Sequence, residues 1–418
     1  MVVLMFIAVG EEKLEKEKLI KYAVKNTEFY ERKFINYSEE NLDWKKLPIT
    51  TKDEVAHAGI SIVSREYYGK LVAGGEVVSD FTSGSTGECL EIFTVIPEQN
   101  LSMLSLWLYR KKYYDIDTKS RLCYFYTYRD QENEQTEERR NNSYGFLKDS
   151  LNIEKNIETI FNKMYEFQPE WLLLQPSIAM VLARYIFETG ENRITSVRYI
   201  ELTGEMFTES QRKFIMAAFN AIVASQYGCN EVGTIAYECP NGNMHIMTEN
   251  VHVDIECREK TKYDYGDVVV TAKNRLVMPI IKYKTGDIGR VKQCQCMCGN
   301  KNDIIELQEA RDNDLIILKN GTTISANIFV NIFKKIEWSI DGRIYQYRIK
   351  QKDYDMFHIK IATNENEENI KNLFFKYIKK SLIGKNKFKF TFFDYILPEE
   401  KSGKLRFFTS EAIKMHDT

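Results

Sequence analysis

Two short stretches of the sequence gather side chains that could bind ligands, and the first is DFTSGSTGE at 80–88. It places four hydroxyl side chains and two glycines in one loop. The runs on either side, EVVSDF and CLEIFTV, are rich in apolar residues and have strand character. Glycine lets backbone N–H groups converge on an anion, and Ser and Thr hydroxyls add further donors. The loop is therefore a candidate phosphate site, and an ordinary surface turn is the alternative.

The commonest phosphate motifs do not fit this loop. A P-loop needs G-x-x-x-x-G-K-[ST], whereas Gly84 and Gly87 are only three residues apart and Glu88 follows them. The dinucleotide motif G-x-G-x-x-G is missing as well. The phosphate interpretation therefore depends on other nucleotide-binding groups further along the chain.

The second stretch combines cysteines with a histidine. CQCMCG at 294–299 puts three Cys at alternate positions, and ECPNGNMH at 238–245 adds a Cys and a His. Structural zinc takes four N or S ligands, often as two local pairs. The sequence predicts such a set in Cys239, His245, Cys296 and Cys298, with Cys294 as a competing ligand. Free thiols in a reducing cytosol are the alternative, and no metalloprotease-like His spacing favours a catalytic zinc.

Five later segments carry groups that suit a nucleotide. They are LTGE (202–205), SQYGCNEVG (225–233), PIIKYKTGDIG (279–289), EARDND (309–314) and KSGKLRF (401–407). Each is weak alone, because a Tyr is usually core, an Asp after Gly is usually a turn and a surface Lys is usually solvated. Their fixed order after the hydroxyl-rich loop favours one nucleotide site.

Composition limits the class of protein. The chain has 418 residues, 44% of them hydrophobic, and a net charge of −2. This predicts a folded protein of two or three domains, and gives no electrostatic reason for nucleic acid or an anionic membrane. The apolar start MVVLMFIAVG has no basic flank, so we interpret it as a buried segment and expect a cytoplasmic protein.

The elements that must position these groups follow an α/β pattern. Strands alternating with helices over 75–235 predict an α/β layered domain, and 245–325 is rich in strand sequence. The last hundred residues predict a small α+β domain beginning near 313. The polar run 129–142 is interpreted as a solvated loop, with a partner-binding insert as the alternative.

Together these motifs resemble the adenylate-forming superfamily of acyl-CoA synthetases, adenylation domains and luciferases. TSGSTG, YGCNE, YKTGD and the late GK match its ordered core motifs. LPITTKDEV, QPS, ECPNGNMH and CMCG resemble more narrowly the branch of phenylacetate–coenzyme A ligase, coenzyme F390 synthetase and capsule-locus proteins. The resemblance runs from about residue 15 to 410. It implies a multi-lobed N-terminal domain over 1–312, with a zinc knuckle within 239–298, and a small mobile domain over 313–418.

The resemblance also implies roles for individual residues. The loop would wrap the triphosphate of ATP through Thr82, Ser83, Gly84, Ser85, Thr86 and Gly87. The adenine and α-phosphate would lie against Gly204, Glu205, Tyr227, Gly228 and Asn230, the last standing where the family usually has Thr. The ribose would be held by Asp287 and Arg311. Glu231 would hold Mg²⁺, Lys404 would be the catalytic lysine and Asn313 would lie at the hinge between the domains.

The acid-binding pocket is the least readable part of the resemblance. Its candidates are Tyr126, Tyr128, Gln175 and Ser177. Each of these residue types is more often structural, and the sequence here bears no close likeness to the phenylacetate enzymes. The branch includes members with a structural zinc, which favours the Cys/His set as a zinc site.

The implied function is ATP-dependent activation of an aromatic or small carboxylic acid to acyl-AMP, followed by transfer to a thiol, with coenzyme A as co-substrate. The small domain would rotate between the two halves and withdraw Lys404. Three alternatives stay open: transfer to a carrier-protein thiol, an adenylating protein that transfers to an amine or stops at the adenylate, and a non-catalytic zinc-stabilised nucleotide-binding protein. A homodimer is also left open.

Overall fold

The computed structural model describes residues 12–36, 44–73, 75–81, 90–126, 137–147, 153, 156–257, 265–308, 314–320, 323–340, 343–379, 381, 383–393 and 407–412. These residues fall into two compact units. The first unit takes its residues from Met1–Arg110, Tyr227–Thr285 and Gly289–Glu306. The second takes them from Lys111–Gln226, Gly286–Ile288 and Leu307–Thr418.

The described helices are α1 (Glu12–Asn26), α2 (Glu28–Lys33), α3 (Lys52–Ala58), α4 (Tyr68–Ala73), α5 (Ile96–Tyr114), α6 (Ile157–Phe167), α7 (Pro176–Thr189), α8 (Glu209–Phe219), α9 (Asn327–Glu337) and α10 (Glu367–Ile378). None of these helices combines the length and the apolar character needed to cross a bilayer.

The described strands of the first half are β1 (Val77–Phe81), β2 (Glu91–Val95), β3 (Leu122–Tyr126), β4 (Glu137–Arg139), β5 (Ser143–Leu147), β6 (Trp171–Leu174), β7 (Tyr199–Thr203) and β8 (Ile222–Cys229). Those of the second half are β9 (Gly233–Glu238), β10 (Met244–Ile246), β11 (Val251–Cys257), β12 (Gly266–Ala272), β13 (Tyr283–Lys292), β14 (Ile304–Leu307), β15 (Leu315–Ile317), β16 (Thr323–Ser325), β17 (Ile344–Asp353), β18 (Met356–Thr363), β19 (Lys387–Phe393) and β20 (Phe408–Ser410).

The first unit contains α3, whose N-cap is Thr51. Its hydroxyl accepts the N–H of Glu54, and the Glu54 carboxylate accepts the N–H of Thr51, which forms a capping box at α3. The runs around the hydroxyl-rich loop form strands, as predicted, and these strands, β1 and β2, pair antiparallel with Val77 opposite Val95. Elsewhere in this unit the strand order is β11-β12-β13-β14-β10-β9.

The second unit is built on a parallel sheet in the order β8-β7-β6-β3-β5, with β4 antiparallel at its edge. Helices α7 and α8 connect β6 to β7 and β7 to β8, so these are successive βαβ units. Pro176 begins α7. Proline is favoured in the first turn because the N–H that it lacks would have no partner within the helix. Gly190 ends the helix in the left-handed conformation, at φ 74°. The apolar faces of α6, α7 and α8 form one core with the strands.

One prediction about this unit was wrong in part. We interpreted 129–142 as a solvated loop, but Glu137–Arg139 forms β4 and pairs with Tyr144–Phe146 of β5. A polar segment can form a strand here because β4 lies at the edge of the sheet. The backbone of an edge strand pairs on one side, and its polar side chains stay accessible to water. The rest of that run through residue 136 lies outside the described residues.

The last hundred residues have an apolar core of their own. Strands β17 and β18 pair antiparallel, and β19 and β20 join them in the order β19-β18-β17-β20. Helices α9 and α10 contribute Phe329, Phe333 and Phe374 to the buried cluster. The boundary predicted at 312/313 falls outside the described residues and stays a prediction.

Candidate functional site

In the second unit, several predicted site residues lie at one edge of the parallel sheet. Tyr126 ends β3, Gln175 follows β6, and Gly204 follows β7. Because these strands run parallel, their carboxyl ends meet at the same edge, which is where open α/β sheets bind ligands. The topology therefore brings predicted acid-pocket and adenine residues to one edge.

Glu205 is held by the start of α7. Its Oε2 accepts the backbone N–H of Ser177 at 3.0 Å, and its Oε1 accepts the Ser177 hydroxyl at 3.0 Å. The first N–H groups of a helix have no partner within the helix, and a carboxylate there also suits the helix dipole. Gly204 makes the turn possible at φ 81°. The contact fixes the turn after β7 to α7 and leaves Gly204 exposed.

Two acid-pocket candidates differ in their environment. The Ser177 side chain is buried and engaged by Glu205, as a structural role requires. Gln175 instead keeps a buried Oε1 without a hydrogen-bond partner among the described residues. An unpaired buried acceptor costs free energy, so a donor on a ligand or water would satisfy it. Gln175 is thus the better suited of the two to meet a ligand.

In the first unit, Tyr227 and Gly228 lie on β8. The Tyr227 hydroxyl donates to Thr285 Oγ1 at 3.5 Å, and its ring is half-buried, which leaves surface on which a planar base could stack. Gly228 approaches the backbone of β9 so closely that a Cβ would lie 2.5 Å from the Gly233 carbonyl oxygen. Glycine is therefore required at 228 by packing.

Gly228→Ala is expected to lower the free energy of unfolding by about 1–3 kcal/mol, because backbone atoms rather than a flexible side chain must yield to the added methyl. Chemical denaturation measures the change. Gly69→Ala is the matched control, since nothing lies within 4 Å of its Cβ position in α4. That control should be neutral or stabilising by up to about 1 kcal/mol. An equal effect of both substitutions would contradict the close approach.

The predicted magnesium ligand is a buried carboxylate. Glu231 is 6% exposed, and its Oε1 accepts the hydroxyl of Tyr283 at 2.9 Å. Its Oε2 has no hydrogen bond to a described residue. Magnesium prefers carboxylate oxygens, so a positioned carboxylate with one oxygen available fits that ion. Asn230, the next residue towards the N-terminus, is exposed, and its carbonyl accepts a hydrogen bond from Arg275.

Asp287, the predicted ribose ligand, lies on β13. It follows Gly286, whose φ of 85° breaks the regular strand, and its side chain is partly exposed. The other predicted residues lie outside the described residues: Thr82–Gly87 and Arg311 of the nucleotide site, the hinge residue Asn313 and the catalytic Lys404. Tyr128 does too, and of Tyr126 only the backbone is described.

The four predicted zinc ligands converge. The ligand atoms of Cys239, His245, Cys296 and Cys298 all lie within 4.8 Å of one another. The Cys239 and Cys296 sulfurs are 3.7 Å apart, and Cys298 Sγ lies 3.3 Å from His245 Nε2. Zinc–sulfur bonds of about 2.3 Å in a tetrahedron place two sulfurs about 3.8 Å apart. The donor set therefore fits zinc, and Cys294 is not one of this group of four.

Neighbouring groups orient these ligands. His245 is 1% exposed, and its Nδ1 lies 2.9 Å from the Asn302 carbonyl oxygen, so Nδ1 carries the proton and Nε2 can bind a metal. Gly242 and Gly299, at φ 76° and 78°, close the turns after Cys239 and Cys296.

The two thiols differ in their acidity. Burial raises the pKa of Cys239 to about 12. Burial also opposes ionisation of Cys296, but the Cys298 N–H and the Asn243 amide outweigh it and lower the pKa to about 6. A thiolate at Cys296 is the form that a metal binds.

Sequence reasoning missed Tyr283 and Arg275 as neighbours of the predicted magnesium and phosphate residues. Tyr283 begins the YKTGD motif and could have been suspected from it. Arg275 lies in a turn between β12 and β13, and no motif marks it.

Comparison with solved structures shows that the fold of this chain is similar to that of known proteins. No family model matches the chain. Superposition on 2-hydroxyisobutyryl-CoA ligase, in its postadenylation state with an acyl-AMP, gives a TM-score of 0.73 over 96% of this chain and 89% of that one, at 13% identity. The chain has the fold of the adenylate-forming ligases. The α/β prediction with a separate C-terminal α+β region is thereby confirmed.

A second superposition and a sequence comparison give further similarities. Superposition on 2-hydroxyisobutyryl-CoA ligase with an acyl-AMP and CoA, in its thioesterification state, gives a TM-score of 0.59 over 97% of this chain and 91% of that one, at 14% identity. A phenylacetate-coenzyme A ligase of Thermus thermophilus is 22% identical over 213 residues, 48% of this chain. The matched stretch spans 46% of that relative, about half its length.

Proposed function

We propose that this protein is an AMP-forming acid–thiol ligase. In the first half, a carboxylate oxygen attacks the α-phosphorus of ATP and pyrophosphate leaves, giving acyl-AMP. In the second half, a thiol attacks the acyl carbon, the bond from that carbon to the AMP oxygen breaks, and AMP leaves. The observation that carries the proposal is the convergence of Gln175, Gly204 and Glu205 at the carboxyl edge of the parallel sheet, in a chain with this fold.

Different residues would bind the adenine, the ribose and the triphosphate of ATP. The exposed turn at Gly204 is fixed by the Glu205–Ser177 contact, so its backbone can line an adenine pocket without reorganising. The half-buried ring of Tyr227 would stack on the base. Asp287 has paired acceptor oxygens suited to ribose hydroxyls, and Arg311 would assist it. Thr82–Gly87 would hold the triphosphate.

Two metals are part of the proposal. Glu231 would hold Mg²⁺, which when bound offsets phosphate charge. Tyr283 orients that carboxylate. Zinc would be held by Cys239, His245, Cys296 and Cys298 and would tie the β9–β10 turn to the segment after β13. Its contribution would be structural, because four protein ligands leave no open position.

The substrate and its acceptor are proposed by class. The acid would be aromatic or small, and coenzyme A would supply the thiol. A carrier-protein thiol or an amine is the alternative acceptor, and a fold match to an amide bond synthetase from Marinactinospora thermotolerans keeps the amine among the acceptors to test. We place the protein in the cytoplasm as an expectation, and a homodimer as an assembly to test.

Pyrophosphate release across a panel of aromatic and short aliphatic carboxylic acids tests this proposal. We expect release that depends on one class of acid and is faster with Mg²⁺ present. Adding coenzyme A, a phosphopantetheinylated carrier or an amine to the responsive acid then identifies the acceptor from the product mass. No acid-dependent release from folded, zinc-replete protein would favour the non-catalytic alternative.

A further inference from the structure

Arg275 is a partly buried arginine with an incompletely used guanidinium. Its Nη2 donates to the Asn230 carbonyl oxygen at 3.1 Å. Among the described residues it makes no other hydrogen bond, and no carboxylate lies within 4.0 Å of it as an ion pair. A guanidinium carries five N–H donors in a planar fork. Most of the donors of Arg275 are therefore unassigned.

The described acidic groups around Arg275 do not form an ion pair with it, and two of them accept hydrogen bonds from other residues. Glu98 acts on it electrostatically, yet its Oε1 accepts the N–H groups of Leu276 and Val277 at 2.7 and 3.0 Å. Glu231, a further charged neighbour, accepts the Tyr283 hydroxyl. Burial lowers the pKa of Arg275, and these acidic groups oppose that shift. A half-buried guanidinium that makes one hydrogen bond keeps donors without an acceptor, so an oxygen-rich ligand that accepts from them would lower the cost of its burial.

The neighbours of Arg275 indicate which ligand would accept from its guanidinium. Asp80, another electrostatic neighbour of Arg275, is the last but one residue of β1, the strand that precedes the predicted triphosphate loop in the chain. Asn230 and Glu231 are the predicted α-phosphate and magnesium residues. Arginine binds phosphate through two parallel N–H donors, which a single positively charged ammonium cannot reproduce.

We propose that Arg275 binds the β- and γ-phosphates of ATP and thereby the pyrophosphate product, whereas AMP makes no contact with it. This rests on the proposed function, because it requires ATP in the site. The rival role is structural: the contact with the Asn230 carbonyl would only fix the turn. A structural role would change the binding of every nucleotide alike, while a phosphate ligand separates ATP and pyrophosphate from AMP.

The test is equilibrium binding of MgATP, magnesium pyrophosphate and AMP to the full chain, by titration calorimetry. Arg275→Gln should weaken MgATP and pyrophosphate binding about tenfold or more, with AMP changed less than about twofold. Arg275→Lys should fall between, because it keeps the charge and a donor for Asn230 but loses the fork. Arg32→Gln is the control, an exposed arginine on α2 with the same change of charge.

Equal weakening of AMP and MgATP by Arg275→Gln, or no weakening at all, would overturn the inference while leaving the proposed function intact. Wild-type protein that binds none of the three ligands would overturn both. If Arg275→Gln does not fold, as judged by circular dichroism, Arg275→Lys decides by the same comparison of ligands.

Discussion

Lys404→Ala is expected to slow acyl-AMP formation by about 100- to 1,000-fold, while thiol transfer from preformed acyl-AMP stays within a few-fold of wild type. The reason is differential stabilisation: negative charge builds on the α-phosphate and the attacking carboxylate only in the first half-reaction. The ammonium of Lys404 would stabilise that charge. The assignment of Lys404 comes from the resemblance of KSGKLRF to the family.

The measurement is rapid-quench pyrophosphate release for the first half and thioester formation from synthetic acyl-AMP for the second. Lys401→Ala is the matched control, since it removes the same charge three residues away in the same segment. It should leave both halves close to wild type. Equal loss of both halves in Lys404→Ala, or an equal defect in Lys401→Ala, would contradict the role given to Lys404.

Cys298→Ser is expected to abolish stoichiometric zinc binding and to destabilise the protein strongly, whereas Cys294→Ser should retain about one zinc per chain. Cys298 Sγ lies 3.3 Å from His245 Nε2 in the group of four, and Cys294 is not a member of that group. Losing one of four ligands leaves an incomplete site, and structural zinc contributes about 10 kcal/mol or more to small folded units.

Metal analysis of protein purified without chelator, together with thermal unfolding, checks this second prediction. Wild type and Cys294→Ser should unfold together, and Cys298→Ser well below them. EDTA should lower the unfolding midpoint of wild type and leave that of Cys298→Ser unchanged. Zinc retained by Cys298→Ser but lost by Cys294→Ser would identify Cys294 as the ligand. A metal-free wild type would instead favour free thiols.

Features with local causes could be predicted from the sequence. The start of α3 follows from Thr51 and Glu54, whose spacing makes a capping box whatever the surrounding fold. The strands around the hydroxyl-rich loop follow from their apolar character. The four proposed zinc ligands could also be predicted, although they are far apart in the chain. Only a few residue types bind zinc, and the chain places four such residues in two short segments.

Features created by long-range contacts could not be predicted. Glu205 and Ser177 are 28 residues apart, and only the βαβ topology shows that the carboxylate meets the start of α7. In the sequence Tyr283 resembles an ordinary core residue, and only the fold shows that its hydroxyl donates a hydrogen bond to Glu231, 52 positions away. Strand β4 was missed because an edge strand in a polar run has no apolar alternation to mark it.

In the proposed reaction, a carboxylate oxygen attacks the α-phosphorus of ATP. Once pyrophosphate release has identified a responsive acid, that acid can be labelled in both carboxyl oxygens with oxygen-18 and turned over with the accepted thiol. We expect AMP that carries one heavy oxygen, because the acyl carbon–oxygen bond breaks in the second half-reaction and AMP keeps the bridging oxygen. Unlabelled AMP would contradict it, as would ADP and phosphate as the products.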